Sequence, residues 1–114
     1  MPRTLLRTQQ TFDRYASKPP SPQCFLCMAP SSKDFLYWRL VANEYPYDAI
    51  ATTHTLLVPK RHTPTLNDQE TQELRSIKRL LEIDQSCDAI IENVGKTKTL
   101  PTHYHLHLLT WIRT

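Results

Sequence analysis

The chain has 114 residues, 39% of them hydrophobic and 22% charged, with a net charge of +3. That is enough for one domain around one buried core, and no apolar run comes near the roughly 20 residues that cross a bilayer. The small basic excess, with a pI near 8.9, suits recruitment of a small anion but lacks the clustered basic and aromatic residues of a nucleic-acid surface. The one glycine, Gly95, excludes a glycine-rich phosphate loop of the GxxxxGK or GxGxxG kind.

Residues 3–16 place Leu5, Leu6, Phe12, Tyr15 and Ala16 at roughly helical spacing and predict a short amphipathic helix. The stretch has no apolar core of signal-peptide length, and three cysteines, an odd count, fit a reducing compartment, so a cytoplasmic protein is expected. SKPPSPQ then delivers an extended segment, closing a leader of residues 1–23 ahead of Cys24. FLYWRLVA, residues 35–42, is aromatic and branched enough for a strand. NEYPYDAIATT is a long connection, and HTLLV, residues 54–58, is a second strand closed by Pro59. From Asp68 to Asp84 the period changes: Leu74, Ile77, Leu80 and Leu81 form a helical stripe, with Asn67 as N-cap. DAIIENV, residues 88–94, predicts a third strand, GKTKTLPT a turn, and HYHLHLL, residues 103–109, the last strand. Strands with two flanking helices and no regular βαβ alternation predict a single α+β domain with a mainly antiparallel sheet.

HYHLHLL puts His103, His105 and His107 on every second residue, so a strand would align them about 6.6 Å apart on one face, with Tyr104, Leu106 and Leu108 on the other. No packing need explains such a row. It points to a metal site or to a reaction centre that handles protons and phosphate. Three consecutive same-face positions rarely converge on one tetrahedral ion, which weighs against a zinc held by all three. The other two of the five histidines, His54 and His62, bracket the strand in HTLLVPKRH, which favours one shared site. CFLC supplies Cys24 and Cys27 at a spacing that lets two thiolates bind one zinc, and only histidines can complete a Cys2His2 set. A redox pair would sit at the head of a helix after a strand, which the proline-rich approach does not offer. Cys87, isolated, reads as a small buried hydrophobe.

HYHLHLL together with HTLLVPKRH, NEYPYD and LND resembles the histidine triad (HIT) family over residues 24–109. The resemblance implies a small α+β fold, commonly a two-fold homodimer, and hydrolase or transferase action on a nucleotide. It makes the middle histidine, His105, the nucleophile that attacks the α-phosphorus and carries the nucleotidyl group. His107 then donates to phosphate oxygens and His54 lies near the same phosphate, with Asn43 and Asn93 as substrate-binding asparagines. In zinc-bearing members the metal ligands fall on Cys24, Cys27, His62 and His103, a closed and structural set. The Gly-Gln pair usual before the triad is replaced here by TKTLPT. Besides an enzyme, the same residues would suit a catalytically silent nucleotide-binding protein.

Overall fold

The computed structural model describes residues 5–19, 23–94 and 101–113. The elements are α1 (Gln9–Ala16), α2 (Phe25–Met28), β1 (Lys33–Asp34), β2 (Trp38–Ala42), β3 (Ala51–Pro59), α3 (Asp68–Asp84), β4 (Ala89–Ile91) and β5 (Leu106–Trp111). All strand pairs are antiparallel, in the order β1-β2-β3-β5-β4. The α+β class and antiparallel sheet are as expected from the sequence, with a third, one-turn helix added. Most of the turn expected in GKTKTLPT, and Pro20 to Pro22 of the leader, lie outside the described residues.

Strand alternation sorts the apolar side chains onto two faces. On one, Trp38, Leu57, Leu106 and Leu108 pack against Leu74 and Ile77 of α3. On the other, Val41, Leu56 and Val58 pack against Leu26 and Ala29 around α2. Burying such a side chain contributes about 1.5–3 kcal/mol, so both faces stabilise the sheet. The Trp38 indole N–H, fully buried, donates to the Glu70 carbonyl at 2.8 Å, anchoring α3 to β2.

Helix α3 runs over the residues its stripe predicts. Asn67 caps it in a capping box with Glu70, whose buried carboxylate also accepts from Arg61 at 2.8 Å. It ends at Gln85 in the left-handed region, φ 54° and ψ 39°, where chains usually place glycine. Other bounds differ for local reasons. α1 starts only at Gln9, because Thr8 is extended and caps it, held in turn by Asp48. The strand expected over 35–42 is a hairpin: Lys33 pairs with Leu40, and the Glu73 carboxylate takes the N–H groups of Leu36 and Tyr37 at 3.1 and 2.6 Å. β3 begins three residues early, at Ala51, with an irregularity between Ala51 and Thr53. The strand expected over 88–94 is ordered as strand only from Ala89 to Ile91.

The last strand departs most from expectation. β5 starts at Leu106, so His103 and His105 precede the ladder, and Leu106 to Leu109 are all buried, on both faces. The face that carries His107 is covered by Leu56 and Ile91, which flank His107 in register, and by Tyr47 stacked on its ring.

Candidate functional site

Cys24 is the N-cap of α2 and Cys27 lies within it, so this single turn turns both thiols toward the sheet. Arg39 of β2 holds the turn in place, donating to the carbonyls of Ala29, at 2.5 Å, and Leu26. His62 arrives from the loop after β3 and His103 from the segment before β5. That segment is pinned by the Tyr104 N–H to the Thr63 carbonyl at 2.6 Å. The four donor atoms lie within 4.8 Å of one another. Cys27 Sγ is 3.1 Å from His62 Nδ1 and 3.4 Å from His103 Nδ1, Cys24 Sγ is 3.5 Å from His103 Nδ1, and the two Nδ1 atoms are 3.2 Å apart. Zn–S near 2.3 Å and Zn–N near 2.0–2.1 Å give tetrahedral edges of roughly 3.3–3.8 Å; the 3.4 and 3.5 Å spacings fall within that range, and the 3.1 and 3.2 Å spacings lie just below it.

Protonation agrees with a metal role. The Pro59 carbonyl can only accept, so at 3.0 Å it takes the Nε2–H of His103 and leaves the Nδ1 lone pair facing the thiols. Burial pushes the His103 pKa down, keeping the ring neutral as a ligand must be, whereas burial and then Cys24 push the Cys27 thiol up, so a metal bound there would have to displace its proton. The redox objection drawn from the sequence changes in one respect: the CxxC does head a helix, but a one-turn helix with two imidazoles at its thiols.

The second cluster is built by register. His54 is opposite Leu109 in the β3–β5 ladder, so His107, two residues before Leu109, is its diagonal neighbour on the same face. His54 Nε2 and His107 Nδ1 are 2.8 Å apart, and both rings are buried. The Tyr47 N–H donates to His54 Nδ1 at 2.9 Å, which leaves the proton of neutral His54 on Nε2, donated to His107 Nδ1. His107 therefore carries its proton on Nε2, beside the Asn93 amide at 3.2 Å. Burial, then the neighbouring His107 and Arg7, push the His54 pKa down to about 3. Burial, then His105 and Arg7, push His107 down to about 4. Both rings are neutral at pH 7.

His105 is half-buried, its ring edge-on to His107 with centroids 5.2 Å apart. Its Nδ1 lies 2.9 Å from the His103 carbonyl, which fixes the proton on Nδ1 and leaves a lone pair on Nε2. Asn93 Nδ2 also reaches the Tyr47 hydroxyl at 3.0 Å. Asn43 Oδ1 accepts from the Tyr45 N–H at 2.8 Å, and its amide nitrogen lies 3.2 and 3.4 Å from the His54 ring nitrogens. The structure thus brings His54, His105, His107, Asn43 and Asn93 together, with His54 behind His107, and gathers Cys24, Cys27, His62 and His103 next to them.

Sequence reasoning gave Tyr47 no role, yet it is 5% exposed, stacks on His107 at 5.2 Å and 17°, touches His54 at 4.4 Å and fixes its tautomer. NEYPYD held the signal, as two aromatic residues around a proline just ahead of a histidine strand. Arg7 was missed as well; its guanidinium lies 4.9 Å from the Tyr47 ring centroid.

No family model matches the chain, and no curated protein matches it in sequence. Solved structures do match. A HIT family hydrolase from Legionella pneumophila Philadelphia 1 superposes with a TM-score of 0.55 at 24% identity, over 76% of this chain and 91% of that one. A histidine triad protein from Clostridium difficile gives 0.59 at 22%, over 84% and 96%. A HIT family hydrolase from Clostridium thermocellum gives 0.59 at 22%, over 82% and 94%. The chain has the fold of these histidine triad proteins, as its motifs imply. Among the described residues no helix is long and apolar enough to cross a membrane.

Proposed function

We propose that the protein is a nucleotidyl hydrolase or transferase that works through a covalent nucleotidyl-histidine at His105. The observation that carries this reading is the orientation of His105: the His103 carbonyl holds Nδ1–H, so the free lone pair is on Nε2, in a ring whose centroid lies 5.2 Å from that of His107. An imidazole nitrogen with its lone pair so directed is a nucleophile.

In the proposed reaction His105 Nε2 attacks the α-phosphorus of a nucleotide conjugate. The bond from phosphorus to the leaving group breaks, and that group departs with the electron pair. His107 Nε2–H and the Asn93 amide stabilise the phosphate oxygens, and His54 and Tyr47 hold His107 in its donor tautomer. Water or another acceptor then attacks phosphorus, the P–N bond breaks, its electrons return to His105, and the acceptor's proton is released to solvent. Cys24, Cys27, His62 and His103 would hold zinc with no open position. The ion's chemistry there is structural, cross-linking α2, the loop after β3 and the segment that carries His105.

The test is nucleotide release from nucleoside phosphoramidates, dinucleoside polyphosphates and nucleotide sugars. His105→Ala should lose well over the roughly 10²–10⁴-fold of a proton-transfer group, and His107→Ala should lose less. Release by His105→Ala at near the wild-type rate overturns the reading. Tight binding of nucleotides with no release from any substrate would make the protein a silent nucleotide binder.

A further inference from the structure

Tyr47 is shared by three residues of the histidine cluster. Its N–H donates to His54 Nδ1 at 2.9 Å, its ring stacks on His107 with centroids 5.2 Å and planes 17° apart, and its hydroxyl accepts from the Asn93 amide at 3.0 Å. It stands in the loop between β2 and β3, where no strand ladder holds it. The segment just ahead of α1 grips that loop instead. The Leu6 carbonyl accepts from the Ala49 N–H at 3.0 Å, the Thr8 N–H donates to Asp48 at 2.9 Å, and Arg7 Nε donates to the Tyr45 carbonyl at 2.8 Å. The loop is thus fastened on both sides of Tyr47, and the middle residue of the grip is a cation. The half-buried Arg7 guanidinium lies 4.4 Å from the Tyr15 ring centroid and 4.9 Å from that of Tyr47, both within reach of a cation–ring attraction.

We propose that Arg7 is a positioning residue of the site, which holds Tyr47 stacked on His107 and sets a fixed positive charge one ring contact away from the His54–His107 pair. Arg7 lies ahead of residues 24–109, over which the chain resembles the histidine triad family, so the motifs assign it no role. A ring attracted to a fixed guanidinium loses freedom to turn away from His107, so the Tyr47 N–H and hydroxyl stay on His54 and Asn93. The charge also opposes protonation of either imidazole. A proton added to either ring would set donor against donor at a contact now satisfied, at the Tyr47 N–H for His54 and at His54 Nε2 for His107. The groups that face the pair are His105 from before β5, Asn43 and Tyr47 from the loop after β2, Asn93 from after β4 and Arg7 itself. None of them is a carboxylate, so none offsets the guanidinium. Arg7 acts on both rings in the same direction as burial and the neighbouring histidine, which come first, and the three together keep the pair neutral. The effect of Arg7 on rate rests on the nucleotidyl-transfer reading.

The experiment compares metal-loaded wild type with Arg7→Met, Arg7→Lys and Arg14→Met. Methionine keeps an apolar stem and removes the charge, whereas lysine keeps the charge without the planar donor. Arg14→Met removes the same charge from the same segment, at a guanidinium 5.5 Å from the Tyr45 ring rather than at Tyr47. Arg7 lies outside every helix and strand, so its replacement leaves sheet and core intact. NMR titration of the histidine rings from pH 7 downward reads the pair without turnover. The His107 midpoint should rise by about half a unit in Arg7→Met, a roughly threefold gain in proton affinity, return most of the way in Arg7→Lys, and stay within about 0.1 unit in Arg14→Met. In nucleotide release, Arg7→Met should lower kcat at pH 7 about tenfold with KM within about twofold, and should move the acid limb of the kcat profile to higher pH. A midpoint unchanged in Arg7→Met, or moved equally in Arg14→Met, overturns the role of Arg7, whatever the turnover. If no substrate turns over but the midpoint shifts in Arg7→Met and returns in Arg7→Lys, the role of Arg7 stands and the transfer reading fails.

Discussion

His54 and His107 give the fold a specific sensitivity to acid. Their pKa values, about 3 and about 4 when folded, lie below the ordinary value of 6.5 that they regain on unfolding. The unfolded chain therefore takes up protons first as pH falls. The stability these rings contribute is complete above pH 6.5, is lost below it, and stops falling only where the folded rings themselves titrate. Each ring contributes a slope of up to about 1.4 kcal/mol per pH unit in that window. Between pH 7 and pH 5 this comes to about 2 kcal/mol per ring and about 4 kcal/mol for both, a large part of the roughly 5–15 kcal/mol that holds a domain folded. Urea unfolding of the metal-loaded protein at pH 7, 6 and 5, compared with His54→Gln, isolates one ring, because protonation of the zinc-site histidines affects both proteins alike. The wild type should lose about 2 kcal/mol more than the variant across the range. Equal losses, or a His54 ring that titrates near 6.5 by NMR, would refute the burial argument.

Protein purified without added metal should hold one zinc per chain, and Cys24→Ser with Cys27→Ser should hold none; a content near zero in the wild type would remove the site. Chelation should lower the unfolding temperature at substrate concentrations where activity in the remaining folded protein is unchanged, since the ion ties segments together. Gln85→Gly should stabilise α3 by about 0.5–1 kcal/mol by relieving a left-handed non-glycine residue, read as a raised urea midpoint; a lowered midpoint would contradict it. A symmetric homodimer is expected, using the edge strand β4 and the exposed Ile90, Trp111 and Ile112, and light scattering showing a monomer at micromolar concentration would count against it.

What could be read from the chain was whatever short-range rules write into it. α3 was legible to the residue because an apolar stripe at helical spacing coincides with a strong cap at Asn67. The grouping of Cys24, Cys27, His62 and His103 was legible because few residue types can bind zinc and the motifs that carry them resemble a known arrangement. The two faces of β5 follow the alternation, with Leu106 and Leu108 toward α3 and His107 opposite, but the burial of His107 was not legible, since a histidine counts as polar in such a pattern. His107 is buried instead, because Tyr47 and His54, distant in sequence, satisfy and cover it. The diagonal contact between His54 and His107 needs the register of β3 against β5, which no local pattern contains. The one-turn helix at the CxxC depends on Arg39 from β2 holding its last carbonyls, another contact invisible along the chain. Arg7 belongs to the site only because Asp48 and Thr8 dock the start of α1 against the loop before β3.

The central claim is that His105 Nε2 becomes covalently bonded to the transferred group. Intact mass spectrometry after an acid-free quench of the protein mixed with its best substrate measures this directly, with peptide mapping to locate the bond. The account predicts an added nucleoside monophosphate on the wild type, mapped to His105, and its absence from His105→Ala. Rapid nucleotide release with no adduct on any histidine, or the same adduct on His105→Ala, would contradict it.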